Sequence, residues 1–115
     1  MLIQVNTDNH IHGSERLTAY VQAVVQDTLS RFAERITRVE VHLHDTNSSA
    51  KGGEDKRCGI EVRVAGLEPV NVTAQAVDID LAIDGAVEKM KTLLDRQFDK
   101  LDQTKGNVSF AGPQE

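Results

Sequence analysis

The stretch Asp78–Leu101, DIDLAIDGAVEKMKTLLDRQFDKL, decides how this chain folds. Ile79, Ile83, Ala86, Val87, Met90, Leu93, Leu94, Phe98 and Leu101 recur at steps of three and four. That spacing stacks them along one side of a helix. Asp78 stands ahead of the run, where its carboxylate can accept a hydrogen bond from a free N–H of the first turn. Asp80 and Asp84 add negative charge near the positive end of the helix dipole. The other side carries Glu88, Lys91, Asp95, Asp99 and Asp102. Such a helix is stable only when its apolar stripe meets another apolar surface. The rest of the chain must supply that surface.

Working upstream, Val70 and Val72 alternate with Asn71 and Thr73 as a short strand. Before it, Cys58, Ile60, Val62 and Val64 alternate with Arg57, Glu61 and Arg63. Gly66–Pro69 makes a tight connection between the two. From Ile36 to His44 the period is again two, with Val39, Val41 and Leu43 opposite Arg38, Glu40, His42 and His44. Each of these is a strand with one buried face. The polar stretch 45–56, DTNSSAKGGEDK, is a connector. Leu17, Tyr20, Val21, Val24, Val25, Thr28, Leu29 and Phe32 follow helical spacing, so a first helix is expected from Ser14 to about Phe32. Leu2–Val5 reads as a first strand.

The order is therefore β-α-β-β-β-α, an α+β fold. Three strands with short connectors suit an antiparallel meander. The first strand reaches the sheet through a helical crossover, which favours parallel pairing. Every strand has one apolar face, so the expectation is a four-stranded mixed sheet with both helices on one face and the other face wet. The 115 residues suffice for one core. We expect a single domain over residues 1–105 and a C-terminal tail over 106–115 that lacks periodicity.

Composition narrows the function. With 39% hydrophobic and 27% charged residues, the chain reads as a soluble globular domain. No apolar run has the length to cross a membrane, and the start lacks the pattern of a secretory signal. The expected location is cytoplasmic. Cys58 is the sole cysteine, so no internal disulfide can form. Its apolar-facing strand position argues for a buried structural thiol rather than a nucleophile. No Ser-His-Asp ordering, phosphate-binding glycine loop or catalytic carboxylate pair is present, so neither an enzyme nor a cofactor is expected. The net charge of −5 excludes general electrostatic binding of nucleic acid and leaves only a local basic patch.

Two sets of side chains are candidates for a site. Lys89, Arg96 and Lys100 are spaced seven and four apart and share one flank of the long helix, where they can contact phosphates as a stripe. The alternative is a solvated flank paired with Asp84, Glu88, Asp95 and Asp99. Arg16, Arg31, Arg38 and Arg63 are further candidates, although the fold should place some of them on other faces. The second set is His10, His12, His42 and His44 with Asp8 and Asp45. Parallel pairing of the first two strands would bring these close enough to bind Zn²⁺. Their spacing matches no closed metal motif, so the reading preferred here is exposed polar side chains and no metal.

The element order, RITRVEVHL at 35–43 and above all DIDLAIDGAVEKM at 78–90 resemble the ribosome hibernation-promoting factor family, also called ribosome-associated inhibitor or sigma-54 modulation protein. The likeness spans Leu2 to about Leu101 and is strongest at Ala82-Ile83-Asp84 followed by Val87 and Lys89. It implies a double-stranded-RNA-binding-like fold without catalysis. It also implies a factor that docks on the small ribosomal subunit, against its 16S-type RNA, and down-regulates translation in stress or stationary phase. Since the chain stops after a short tail, the short form of the family is expected. The family's basic stretch on the first helix is matched here by VVQDTL at 24–29, which carries no basic residue. Asp95, Asp99 and Asp102 dilute the positive charge of the long helix. An alternative consistent with this acidity is a protein-interaction module on the same fold, pairing with a second copy or another protein through the open sheet face.

Overall fold

A computed structural model describes residues 1–8, 15–45 and 56–110, with side chains as far as Lys100. The elements are β1 (Leu2–Thr7), α1 (Glu15–Thr28), a 3-10 turn (Ser30–Phe32), β2 (Ile36–Asp45), β3 (Lys56–Val64), β4 (Val70–Ala76) and α2 (Ile79–Phe110). The strands form one sheet in the order β1-β2-β3-β4. β1 runs parallel to β2, with Leu2 opposite Arg38 and Thr7 opposite Leu43. β2–β3 and β3–β4 are antiparallel. This is the mixed four-stranded α+β arrangement that the alternating patterns imply.

The core is a single layer between the sheet and the helices. Val39, Val41 and Leu43 of β2 and Cys58, Ile60, Val62 and Val64 of β3 are buried. They meet Leu17, Val21 and Val25 of α1 and Ala82, Ile83, Ala86, Val87, Met90 and Leu94 of α2. The alternate positions of β2, Arg38, Glu40 and His42, stay partly or fully exposed on the opposite face. α2 approaches β4 closely. A Cβ placed on Gly85 would stand 3.4 Å from the Ala74 Cβ, at van der Waals contact, so the helix lies down on the strand with no room to spare for a larger side chain. Phe98 closes the far end, edge-on to Phe32 with ring centroids 4.8 Å apart.

Three local details depart from simple periodicity. The first helix does not run unbroken to Phe32. α1 ends at Thr28 and the chain tightens into the 3-10 turn. There the Ser30 hydroxyl donates to the Asp27 carbonyl at 3.2 Å, a local bond that competes with the helical ladder. The tighter winding sets Leu29 and Phe32 three apart on one side, and both are fully buried. In β2, Ile36 and Val39 both face the core although they are three residues apart. A register shift between Ile36 and Arg38 makes this possible, with Thr37 as the extra residue and its hydroxyl donating to the Arg63 carbonyl at 3.1 Å. In α2, the backbone stays helical to Phe110, past the end expected near Lys105.

The start of α2 is as expected: the Asp78 carboxylate accepts the Asp80 N–H at 3.2 Å, and the Asp78 carbonyl accepts the Ala82 N–H at 3.0 Å. Gly66, with φ of 82°, turns β3 into β4 in a conformation that side chains disfavour.

Burial makes a graded prediction. Leu94 is fully enclosed, whereas Leu81, one face away on the same helix, is 55% exposed. Leu94→Ala should cost about 2–5 kcal/mol in urea unfolding. Leu81→Ala should stay within about 0.5 kcal/mol of the parent. Equal losses for the two would contradict the assigned orientation of α2.

Candidate nucleic-acid interface

Burial of one stripe leaves α2 with two wet flanks, and they differ in kind. One flank faces α1. Asp80, Asp84, Lys91, Asp95 and Asp99 fall along it at steps of four and seven. The Arg16 Nη2 lies 3.4 Å from the Asp80 Oδ1. The Tyr20 hydroxyl donates to the Asp84 Oδ1 at 2.6 Å. Arg31 reaches Asp95 at 2.6 Å and Asp99 at 3.5 Å. The first three of these contacts each join residues 64 positions apart, so the α1 segment and α2 run side by side in the same direction. Lys91 completes the seam with an i, i+4 pair to Asp95 at 3.0 Å. Arg16 and Arg31, expected as phosphate contacts, are thus held by carboxylates.

The other flank faces β4. Lys89, Thr92 and Arg96 line a shallow cleft beside the strand, with Val72 and Leu93 as its floor and Glu88 as its one acid. The Lys89 Nζ donates to the Thr73 carbonyl at 2.8 Å, which covers an outward-facing backbone acceptor of the edge strand. Arg96 is exposed and makes no ion pair among the described residues. Lys100 is exposed one turn further on. The flank therefore gathers three of the seven expected basic residues.

Arg38 and Arg63 lie on a third surface, the open face of the sheet, as direct register partners on β2 and β3. Arg38 bonds Glu40 at 2.6 Å and the Gln4 side-chain oxygen at 2.5 Å, while its Nε is buried without a partner. Arg63 lies 3.4 Å from Glu61. These two arginines are separated by the whole sheet from the basic flank of α2.

The histidines resolve partly. His10 and His12 lie outside the described residues. His44 Nδ1 is 3.4 Å from the Asp8 carboxylate, and the Asp45 N–H donates to that carboxylate at 3.1 Å. Parallel pairing of β1 and β2 does bring these groups together. His42 lies 3.5 Å from Glu40. Among the described residues, no three His, Cys, Asp or Glu side chains converge as a metal site. Cys58 is buried, and burial pushes its thiol up to about 12, so it stays neutral at any physiological pH.

Two features were not singled out from the sequence. Arg35 stacks over the Phe98 ring at 5.0 Å, and Arg31 over Phe32 at 5.2 Å. On the open face, Gly59 leaves a depression bordered by His42, His44, Arg57 and Thr73. Alternation places Arg57 and Gly59 on the wet face, and a glycine there signals a missing side chain.

The family model described as sigma 54 modulation protein / S30EA ribosomal protein matches residues 3–102. The chain belongs to this family. Curated protein sequences return no significant match. Among solved structures, the chain is similar to the N-terminal domain of Protein Y from Thermus thermophilus, with 22% identity and a TM-score of 0.66. That match covers 84% of this chain and 98% of the other. It is also similar to a ribosomal subunit interface protein from Coxiella burnetii, with 20% identity, a TM-score of 0.65 and coverage of 86% and 99%. At these identities the likeness establishes a shared fold.

The seam between α1 and α2 has a titration signature. Tyr20 is the sole tyrosine and the chain has no tryptophan, so its ionisation is spectroscopically isolated. Its pKa is pushed up to about 12, first by the hydrogen bond to Asp84, then by burial and by the charges of Asp84 and Asp80, with Arg16 acting the other way. A raised folded pKa means that the stabilisation is full below about pH 10 and is lost as pH climbs towards about 12. A UV-monitored alkaline titration should place Tyr20 ionisation well above that of a free phenol, and Asp84→Ala should bring it back towards about 10. An ordinary tyrosine titration in the parent would show that the seam is open.

Proposed function

We propose that this protein is a non-enzymatic factor that binds the small ribosomal subunit and lowers translation in stressed or stationary cells. Its rRNA-contacting surface is the β4-side flank of α2, and its place of action is the cytoplasm. The observation that carries this reading is the sorting of charge on α2. Acids on the α1 side are occupied by Arg16, Tyr20 and Arg31, while Lys89 and Arg96 stand together on the other side with Glu88 as the nearby acid. Membership of a family described by a ribosomal protein supports the ribosome as partner, as does likeness to a protein titled for the ribosomal subunit interface. The neutral, buried state of Cys58 removes the most reactive side chain from chemistry. No helix among the described residues is long and apolar enough to cross a membrane.

The charge balance sets the affinity. At a net −5, the body of the protein repels RNA and only the local stripe attracts it. With about three phosphate contacts from Lys89, Arg96 and Lys100, the logarithm of the binding constant should fall with the logarithm of salt at a slope of about −2 to −3. Cosedimentation with small subunits at two salt concentrations measures this. Replacing Lys89 and Arg96 by alanine should flatten the slope by about one unit each. Arg16→Ala should leave the slope unchanged, because that guanidinium serves the helix seam. Failure of the parent to cosediment even at low salt would overturn the reading.

A further inference from the structure

The open face of the sheet carries a feature that ribosome docking by α2 does not use. Across β2, β3 and β4, one register line runs His42, Gly59, Thr73. The line on one side runs Glu40, Glu61, Asn71, and the line on the other places His44 beside Arg57. All these positions share the face away from the helices. The middle of the grid is therefore Gly59, and every flanking side chain is polar.

The backbone does not require glycine there. Gly59 has no left-handed φ, and an added Cβ would meet the Thr73 Cγ2 at 3.6 Å and the Val72 carbonyl at 3.9 Å, both ordinary contacts. A β-branched residue would suit a central strand better. Glycine inside a strand weakens it and often marks where a ligand approaches the backbone. The depression around Gly59 has a volume of about 300 Å³. That is room for a flat heterocycle, at the small end of ligand sites.

The walls specify the chemistry. His42 and His44 are 44% and 49% exposed, so part of each imidazole is open to a ligand in the depression. Asn71, Thr73 and Glu61 offer both donors and acceptors to a heterocycle edge. The acids at that end are balanced, with Arg38 on Glu40 and Arg63 on Glu61. At the opposite end Arg57 is exposed and makes no ion pair among the described residues, which leaves it to meet an anion. A peptide is a poor fit, because β3 is paired on both sides and has no backbone groups to offer. None of the exposed large apolar side chains, Met1, Leu2, Val77 and Leu81, lines the slot.

We propose that the open sheet face binds a nucleotide, its base lying flat over Gly59 between His42 and Thr73 and its phosphate held by Arg57. The nucleotide is either free or one residue of a single-stranded RNA. This site lies across the sheet from the basic flank of α2 and does not depend on it.

Calorimetric titration of the full-length protein with ATP, with a short single-stranded oligoribonucleotide and with inorganic pyrophosphate tests the proposal. The parent should bind ATP or the oligoribonucleotide and should bind pyrophosphate more weakly. Comparable binding of ATP and the oligoribonucleotide marks a free nucleotide as the ligand, and a preference for the oligoribonucleotide that Gly59→Val removes marks an RNA residue. Gly59→Val fills the slot and should weaken binding about tenfold or more. Arg57→Ala should weaken it severalfold, and Lys91→Ala, in the seam between the helices, should leave it unchanged. Thermal unfolding checks that Gly59→Val folds, and Asn71→Leu at an exposed edge position serves if it does not. Absence of binding to both ATP and the oligoribonucleotide overturns the proposal. So does equal binding of pyrophosphate, or unaltered binding by the slot-filling variant. Ribosome cosedimentation of Gly59→Val should match the parent, which separates failure here from failure of the ribosome reading.

Discussion

Everything in this molecule depends on one helix lying flat on one side of one sheet. The apolar stripe of α2, from Ala82 to Leu94, must be covered, and the inward faces of β3 and β4 are what cover it. At Gly85 no side chain intervenes between the helix and Ala74. Fully burying each large apolar side chain is worth about 1.5–3 kcal/mol, far more than the 0–1 kcal/mol of a surface ion pair. Packing therefore fixes how α2 is rotated, and the charges accept the positions that rotation leaves them.

That rotation is what separates the two flanks. Asp80, Asp84, Asp95 and Asp99 end up against the α1 segment, where Arg16, Tyr20 and Arg31 meet them. Lys89 and Arg96, offset by about a third of a turn, end up beside the edge strand β4. An acidic protein can in this way keep a basic surface. The negative residues that dilute the sequence of α2 do not dilute its β4-side flank to the same degree, because most of them are turned towards α1.

Much of this was legible in the sequence. Alternation in β2, β3 and β4 and the three-four spacing of α2 report burial directly, since periodicity is a local consequence of which face is covered. The α+β class and the parallel pairing of β1 follow from that pattern, while the resemblance at 78–90 rests on particular residues, Ala82-Ile83-Asp84 with Val87 and Lys89. The bulge at Thr37 and the break after Thr28 were not legible, because each depends on how a segment meets a distant neighbour. The fate of the arginines was illegible for the same reason. Nothing local to Arg16 or Arg31 says that a carboxylate 64 residues away will hold it. For Lys89, helical spacing grouped it with Arg96 on one flank, as the structure has it, yet its bond to the Thr73 carbonyl depends on the sheet edge. The vacancy at Gly59 was written in the sequence as a glycine at a wet strand position. Its polar surround became visible only when register set three strands side by side.

The account turns on the two flanks of α2 having different partners, and two neighbouring lysines report them separately. Lys89 lies on the β4 side and Lys91 in the seam with Asp95. Amine-reactive labelling of both, read by mass spectrometry with and without small ribosomal subunits, compares them within one sample. The account predicts that Lys89 loses reactivity on binding while Lys91 keeps it. Protection of Lys91 with Lys89 left reactive would place the RNA on the wrong side of the helix and contradict it.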